Sequence, residues 1–217
     1  MNEVESGISL PFKPLVWLPP ELTVWFGREA LTAPDGGAWC AQKAAALLGA
    51  GARGKDVSRL THCLEEHLEI FRKDMPLVIA AIVFYPDYAT LPPRAAVVVK
   101  AFVGDPDSPG DRDKGLMDID KTREAFANPD KASFVGDPEL TEPEVPAGPA
   151  LRVRRNRKVD PGKRRSKIMA EIIWLVWPPD TSTAVMMTTN WEQPAFSEAA
   201  GVIADGIARN FRVEPKD

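Results

Sequence analysis

Proline placement constrains this chain more than any other feature. The sequence holds 21 prolines in 217 residues, and most fall between the periodic segments. Proline fixes φ and lacks an amide hydrogen, so helix interiors and central strands exclude it. The prolines therefore mark out which stretches are available for regular structure. Pro11, Pro14, Pro19 and Pro20 make the N-terminus an extended entry, with Leu15–Leu18 as a packing segment and Leu22–Phe26 as a strand. Pro34-Asp35-Gly36-Gly37 is turn chemistry, and 27–37 reads as loop. Pro76, Pro86 and the Pro92-Pro93 pair bracket two nearly all-apolar runs, Leu77–Tyr85 and Ala95–Val103. Such runs suit strands buried on both faces.

Helical periodicity appears three times. Ala38–Leu48 is Ala-rich and ends at Gly49, a residue type common just past a helix. Asp56 reads as the cap of a second helix reaching about Asp74. Its stripe of Val57, Leu60, Leu64, Leu68 and Phe71 should face a core. Pro194 opens the third, with Phe196, Ala200, Ile203, Ile207 and Phe211 on one side. Between the second and third helices, Ala150–Lys158, Ser166–Trp177 and Thr183–Trp191 read as strands. The turns Asp160-Pro161-Gly162 and Pro178-Pro179-Asp180 join them into an antiparallel meander. Residues 104–148 carry 12 Asp/Glu against 5 Lys/Arg and read as an acidic surface excursion with one short helix, Asp118–Ala127. Strand, two helices, two strands, excursion, three strands, helix is the order of a single α+β domain over 1–217. Its sheet should be mainly antiparallel and flanked by helices.

Composition sets the remaining bounds. Hydrophobic residues at 44% and charged residues at 27% exclude wholesale disorder. No run approaches 18 uncharged apolar residues, so no membrane span is expected. The opening MNEVESGISL lacks a basic region, which argues against a secretory signal. Two cysteines, Cys40 and Cys63, fit a reducing compartment, with both thiols reduced. The expected location is the bacterial cytoplasm.

Motifs for chemistry are few. Gly49-Ala-Gly51-Ala-Arg-Gly54 is a literal G-x-G-x-x-G, but a dinucleotide site needs a strand before it. Here strong helix formers precede it, so a turn between helices is expected. His62 and His67 are five apart, off the i, i+4 spacing of a metal helix. Cys63 and His67 have that spacing, but zinc needs further N/S ligands. Asp105–Asp113 resembles a calcium loop only in outline, because Leu116 stands where the bidentate Glu belongs. No nucleophilic triad, nucleophile elbow or phosphate loop is present, so the sequence points to no catalytic residues, no metal and no cofactor. Trp17, Trp25, Trp39, Trp174, Trp177 and Trp191 are available either to a pocket or to the core.

The charge anomaly is a basic hairpin. Arg152, Arg154, Arg155, Arg157, Lys158, Lys163, Arg164, Arg165 and Lys167 face Asp160 alone, a local net of +8 in a chain of −4. Alternation puts Arg152 and Arg154, with Lys158 further on, opposite Leu151, Val153 and Arg155, so a cationic stripe is expected to face outward. It fits a docking site for an acidic protein surface. It also fits the protection of a sheet edge. Nucleic acid is disfavoured, because no aromatic residue for base stacking lies in 152–167 and the pI is about 5.4.

A resemblance adds to this. Val145-Pro-Ala-Gly-Pro-Ala-Leu-Arg-Val153 leads into the hairpin, the strands reach Trp177-Pro-Pro-Asp180 and Thr183–Thr189, and the last helix ends Ile207-Ala-Arg-Asn-Phe211. This block resembles the second half of Mog1/PsbP-like domains, especially small actinobacterial ones. It covers Val145–Val213, about a third of the chain. The resemblance implies an α/β/α sandwich around a six-stranded antiparallel sheet. It also implies binding, assembly or accessory work without catalysis. The expected function is a non-catalytic protein-interaction subunit that docks an acidic partner through the basic hairpin. The alternative is a small-ligand module or an enzyme of unrecognised type, and the residues set no oligomeric state.

Overall fold

A computed structural model of the chain describes residues 2–3, 10, 12–16, 23–73, 78–84, 95–103, 118–130, 132–159 and 167–215. In chain order the strands are β1 (Asn2–Glu3), β2 (Phe12–Val16), β3 (Thr23–Phe26), β4 (Val78–Phe84), β5 (Ala95–Val103) and β6 (Phe134–Thr141). β7 (Glu144–Val145), β8 (Gly148–Val159), β9 (Lys167–Val176), β10 (Thr183–Trp191) and β11 (Arg212–Pro215) follow. The helices are α1 (Arg28–Thr32), α2 (Gly36–Leu48), α3 (Gly54–Lys73), α4 (Ile119–Ala127) and α5 (Ser197–Asn210).

The main sheet has eight strands, in the order β3-β4-β5-β10-β9-β8-β6 with β7 beside β8. Every pairing in it is antiparallel. The fold is α+β, as the element order implies, although the sheet is wider than the six strands of the resemblance. The meander β8-β9-β10 is in place, with Leu151 opposite Leu175 and Met187 opposite Trp174.

Strand alternation gives the sheet two apolar faces. One carries Val97, Val99, Ile172, Trp174, Met187 and Trp191 and packs under α5 through Ala200, Ala204, Ile207 and Phe211. The other face is divided. At the β3-β4 end, Phe26, Ala81 and Val83 meet Leu60, Leu64, Leu68 and Phe71 of α3. At the β8-β9 end, Leu151, Val153, Ile173 and Leu175 meet Ile119 and Phe126 of α4. Leu60 and Leu64 are fully buried. Each such leucine is worth about 1.5–3 kcal/mol of transfer free energy. That exceeds helix propensity differences per residue, so the stripe dictates how α3 docks.

Four expectations need correction. Residues 27–37 are not all loop, because α1 occupies Arg28–Thr32. Five residues cannot hold a helix alone. Arg72 of α3 holds this one: its Nε donates to the Leu31 carbonyl at 3.0 Å and its Nη2 to Ala33 at 2.7 Å and Ala30 at 3.2 Å. These are carbonyls that the end of a short helix leaves unpaired. Asp56 lies inside the first turn of α3 rather than capping it, and it pairs with Arg53 at 2.7 Å. The acidic stretch holds the expected helix but also β6, the edge strand of the sheet. Gly136 at φ 73° and Pro138 give β6 a loop-like sequence, and its register shifts between Val135 and Glu139. The fourth correction concerns the N-terminal entry. Pro14 sits within β2, which with β1 and β11 makes a second, three-stranded sheet. Pro14 stands opposite Val213 of β11, and the described β1 pairing ends at Leu15. Trp17, Leu18, Leu77, Tyr85 and the prolines at 11, 19, 20, 76, 86, 92 and 93 lie outside the described residues.

Candidate functional site

Strand β8 carries the basic cluster, and its neighbours decide what the cluster does. β8 is hydrogen-bonded on both sides, to β9 and to β6. Over Arg152–Arg157 it is therefore not an edge strand. The expected cationic stripe is not uniform, because Arg152 is held by Asp205 of α5 whereas Arg154 and Lys158 stay half-exposed.

Arg152 and Arg154 lie on the α5 face. Arg152 Nε donates to Asp205 Oδ1 at 2.8 Å, and the Trp174 indole donates to the same oxygen at 3.2 Å. The Arg152 side chain is only 18% exposed. Arg154 is half-buried beside Glu139 of β6 in register, and no ion pair is seen for it among the described residues. It lines an open groove of about 490 Å³ against α5, together with Gly201, Asp205 and Gly206.

Arg155 and Arg157 lie on the α4 face. Arg155 Nε donates to Glu171 Oε1 of β9, a carboxylate just 5% exposed. The Arg155 guanidinium lies over the Phe134 ring at 4.2 Å and near the Phe126 ring at 4.9 Å. Such cation–π contacts favour a planar guanidinium partly removed from water. Arg157 Nε is 3.8 Å from Glu171 Oε2, and its Nη2 is 3.6 Å from Met169 Sδ. Glu171 therefore answers two of the arginines and Asp205 a third. Sequence reasoning missed both acids. The signal for Glu171 was present: one carboxylate in the otherwise apolar run Ile168–Val176, in a strand certain to be buried.

Beyond Arg157 the hairpin outruns its neighbours. The β10 register ends at Trp191 opposite Ala170, and the β6 register ends at Phe134 opposite Arg157. Lys158 opposite Ile168 and Val159 opposite Lys167 continue the β8–β9 ladder past both registers. Ile168 is 51% exposed there. Lys167 makes an exposed pair with Glu192 at 3.4 Å. The Lys158 amide donates to the Ser133 carbonyl at 2.8 Å. Asp130, with Ala132 N and the Ser133 hydroxyl donating to it and Lys158 nearby, is held below the usual carboxylate range. Lys163, Arg164 and Arg165 belong to the connection 160–166, outside the described residues.

The remaining candidates resolve as structure. Gly49 ends α2 at φ 77° and Gly54 begins α3, so the glycine triplet joins two helices as expected. His67 Nδ1 lies 2.8 Å from the Cys63 carbonyl, and burial lowers its pKa against the opposing effects of that bond and Glu66. His62 faces Glu65 and Glu66 at the surface. Among the described residues no three of His, Cys, Asp and Glu gather as for a metal. Burial, reinforced by Glu65 and partly offset by Arg72, pushes the Cys40 thiol up to about 11. Asp105–Leu116 lies outside the described residues. Trp174, Trp177 and Trp191 are core residues, Trp39 packs on Phe26 at 5.4 Å, and Trp25 packs against the core beneath α5. A groove of about 680 Å³ runs beside Phe134, Val135, Asp137 and Lys158, at the root of the projecting hairpin. Among the described residues no helix is long and apolar enough to cross a membrane.

No family model matches the chain, and no curated protein matches it by sequence. A similar solved structure is that of LpqN, involved in cell envelope biogenesis of Mycobacterium tuberculosis. The two are 10% identical, and the match covers 95% of this chain and 87% of LpqN with a TM-score of 0.46.

Proposed function

We propose that this chain is a non-catalytic interaction protein, an accessory or assembly subunit of the bacterial cytoplasm. It docks an acidic protein surface through the projecting end of the β8–β9 hairpin. The observation that carries the reading is the hairpin end itself. Past the last β6 and β10 register pairs the hairpin carries an exposed Ile168 opposite Lys158. An exposed apolar side chain beside a cation fits a small interface with a charged rim. Three more cations, Lys163, Arg164 and Arg165, lie in the connection between these strands.

The docking charge is narrower than the full cluster. Arg152 and Arg155 are engaged by Asp205 and Glu171, so they position strands rather than meet a partner. The proposed docking charge is Lys158 with the three cations of the connection, whereas Arg154 lies in the groove against α5 and Arg157 stands beside Glu171. Rim charges of this kind raise association rates more than they deepen affinity. The likeness to Mog1/PsbP-like domains, whose known work is binding and assembly, is part of the same proposal.

The test is capture from an extract of the native cell on immobilised chain. Wild type should retain a discrete set of proteins that elute with salt. The variant Lys163→Glu/Arg164→Glu/Arg165→Glu should lose them. Equal retention by the variant, or retention of nuclease-sensitive material alone, would remove the proposal.

A further inference from the structure

The outer face of α5 has no covering element among the described residues, and it sets an exposed apolar side chain between two opposite charges. Val202 is 69% exposed, the most exposed large hydrophobic side chain described. At 100° per residue, Glu198, Ala199, Gly206 and Arg209 share its side of the helix. Glu198 stands in the first turn and Arg209 in the last, each complementing the helix dipole at its own end. Neither has an ion-pair partner among the described residues, whereas Asp205 on the flank is engaged by Arg152. Glu198, Val202, Gly206 and Arg209 also line the open groove that Arg154 of β8 borders.

We infer that this face is a self-association surface, on which α5 of a second copy packs antiparallel about a two-fold axis. The charge layout selects that occupant. A two-fold axis reverses the helix, so Glu198 of each copy approaches Arg209 of the other, and both ends are satisfied at once. A uniformly acidic or basic partner helix would satisfy one end and repel the other. With the axis near Ala204, Val202 of each copy lies over Gly206 of its partner. The missing Cβ at Gly206 lets the two helices approach closely there. Antiparallel alignment also opposes the two helix dipoles favourably. Isologous contacts of this kind close as dimers rather than growing into fibres. A contact built on one helix of 14 residues is small, so the dimer is weak and concentration-dependent.

Sedimentation equilibrium of the full chain over a range of concentrations tests the inference. Wild type should show a monomer–dimer equilibrium. Because the contact occurs twice, Glu198→Arg or Arg209→Glu alone should raise the dissociation constant on the order of tenfold or more. The double reversal Glu198→Arg/Arg209→Glu should restore it to about the wild-type value. Val202→Glu should give monomer with an unchanged circular dichroism spectrum, since the side chain is exposed. A wild-type chain that stays monomeric up to about 1 mM overturns the inference and leaves the face to another protein. So does a dimer that ignores both single reversals, or one that the double reversal fails to restore. None of these variants changes a residue of β8, β9 or their connection, so failure here is separable from failure of the docking reading.

Discussion

Glu171 is a carboxylate 5% exposed, with the Arg155 guanidinium against one oxygen and Arg157 near the other. Replacing both charges with apolar groups need not destabilise, but removing only the acid leaves Arg155 half-buried and unanswered. Glu171→Ala should therefore cost about 3–5 kcal/mol. Arg154→Ala removes no described ion pair and should cost less than about 1 kcal/mol. Urea unfolding midpoints measure both. Equal and small effects would mean that Glu171 does not organise the cluster. The same reasoning separates Arg152, whose Asp205 partner also accepts from the Trp174 indole, from the exposed pair of Lys167 and Glu192. Surface pairs of the latter kind contribute about 0–1 kcal/mol.

Among the elements, α1 depends most visibly on a single distant side chain. Its five residues make too few internal hydrogen bonds to persist alone, and the three bonds from Arg72 reach across from α3. Arg72→Ala should speed amide exchange in Arg28–Thr32 by well over tenfold while leaving the middle of α3 protected. Unchanged exchange in α1 would show that the packing of Ala30 and Leu31 suffices without the guanidinium. The elements that the sequence makes legible are those stabilised by their own pattern. The stripe of α3, the apolar runs of β4 and β5 and the β8–β10 meander each bury a face that their periodicity announces. α1, β6 and β11 are held by partners elsewhere in the chain. Arg72 closes α1, β8 gives the Gly- and Pro-bearing β6 a ladder, and β2 pairs Arg212–Pro215 beyond the last helix. Local propensity carries no trace of such partners.

Across the whole molecule, the basic segment was legible as a charge excess but not as a set of roles. Its +8 against a chain of −4 is a property of sequence neighbours. The neutralising acids are neighbours only in space: Asp205 comes from α5 and Glu171 from β9. Folding thus gives part of this run fixed partners, Asp205 for Arg152 and Glu171 for Arg155 and Arg157, and the proposed docking charge is drawn from the rest. The outer face of α5 was hidden for the opposite reason, since Val202 lies off the apolar stripe and gains meaning only once its exposure is known. The division of charge is tested most directly by association kinetics with the protein captured on the immobilised chain. Wild type, Arg154→Glu and Lys163→Glu/Arg164→Glu/Arg165→Glu would be compared at low salt and at 1 M salt, where the Debye length is about 3 Å. The expected result is an on-rate at least about tenfold slower for the triple variant at low salt. The variant's deficit should largely vanish at 1 M, and Arg154→Glu should stay near wild type throughout. A triple variant that associates as fast as wild type at low salt would mean that the hairpin end is not where this protein meets its partner.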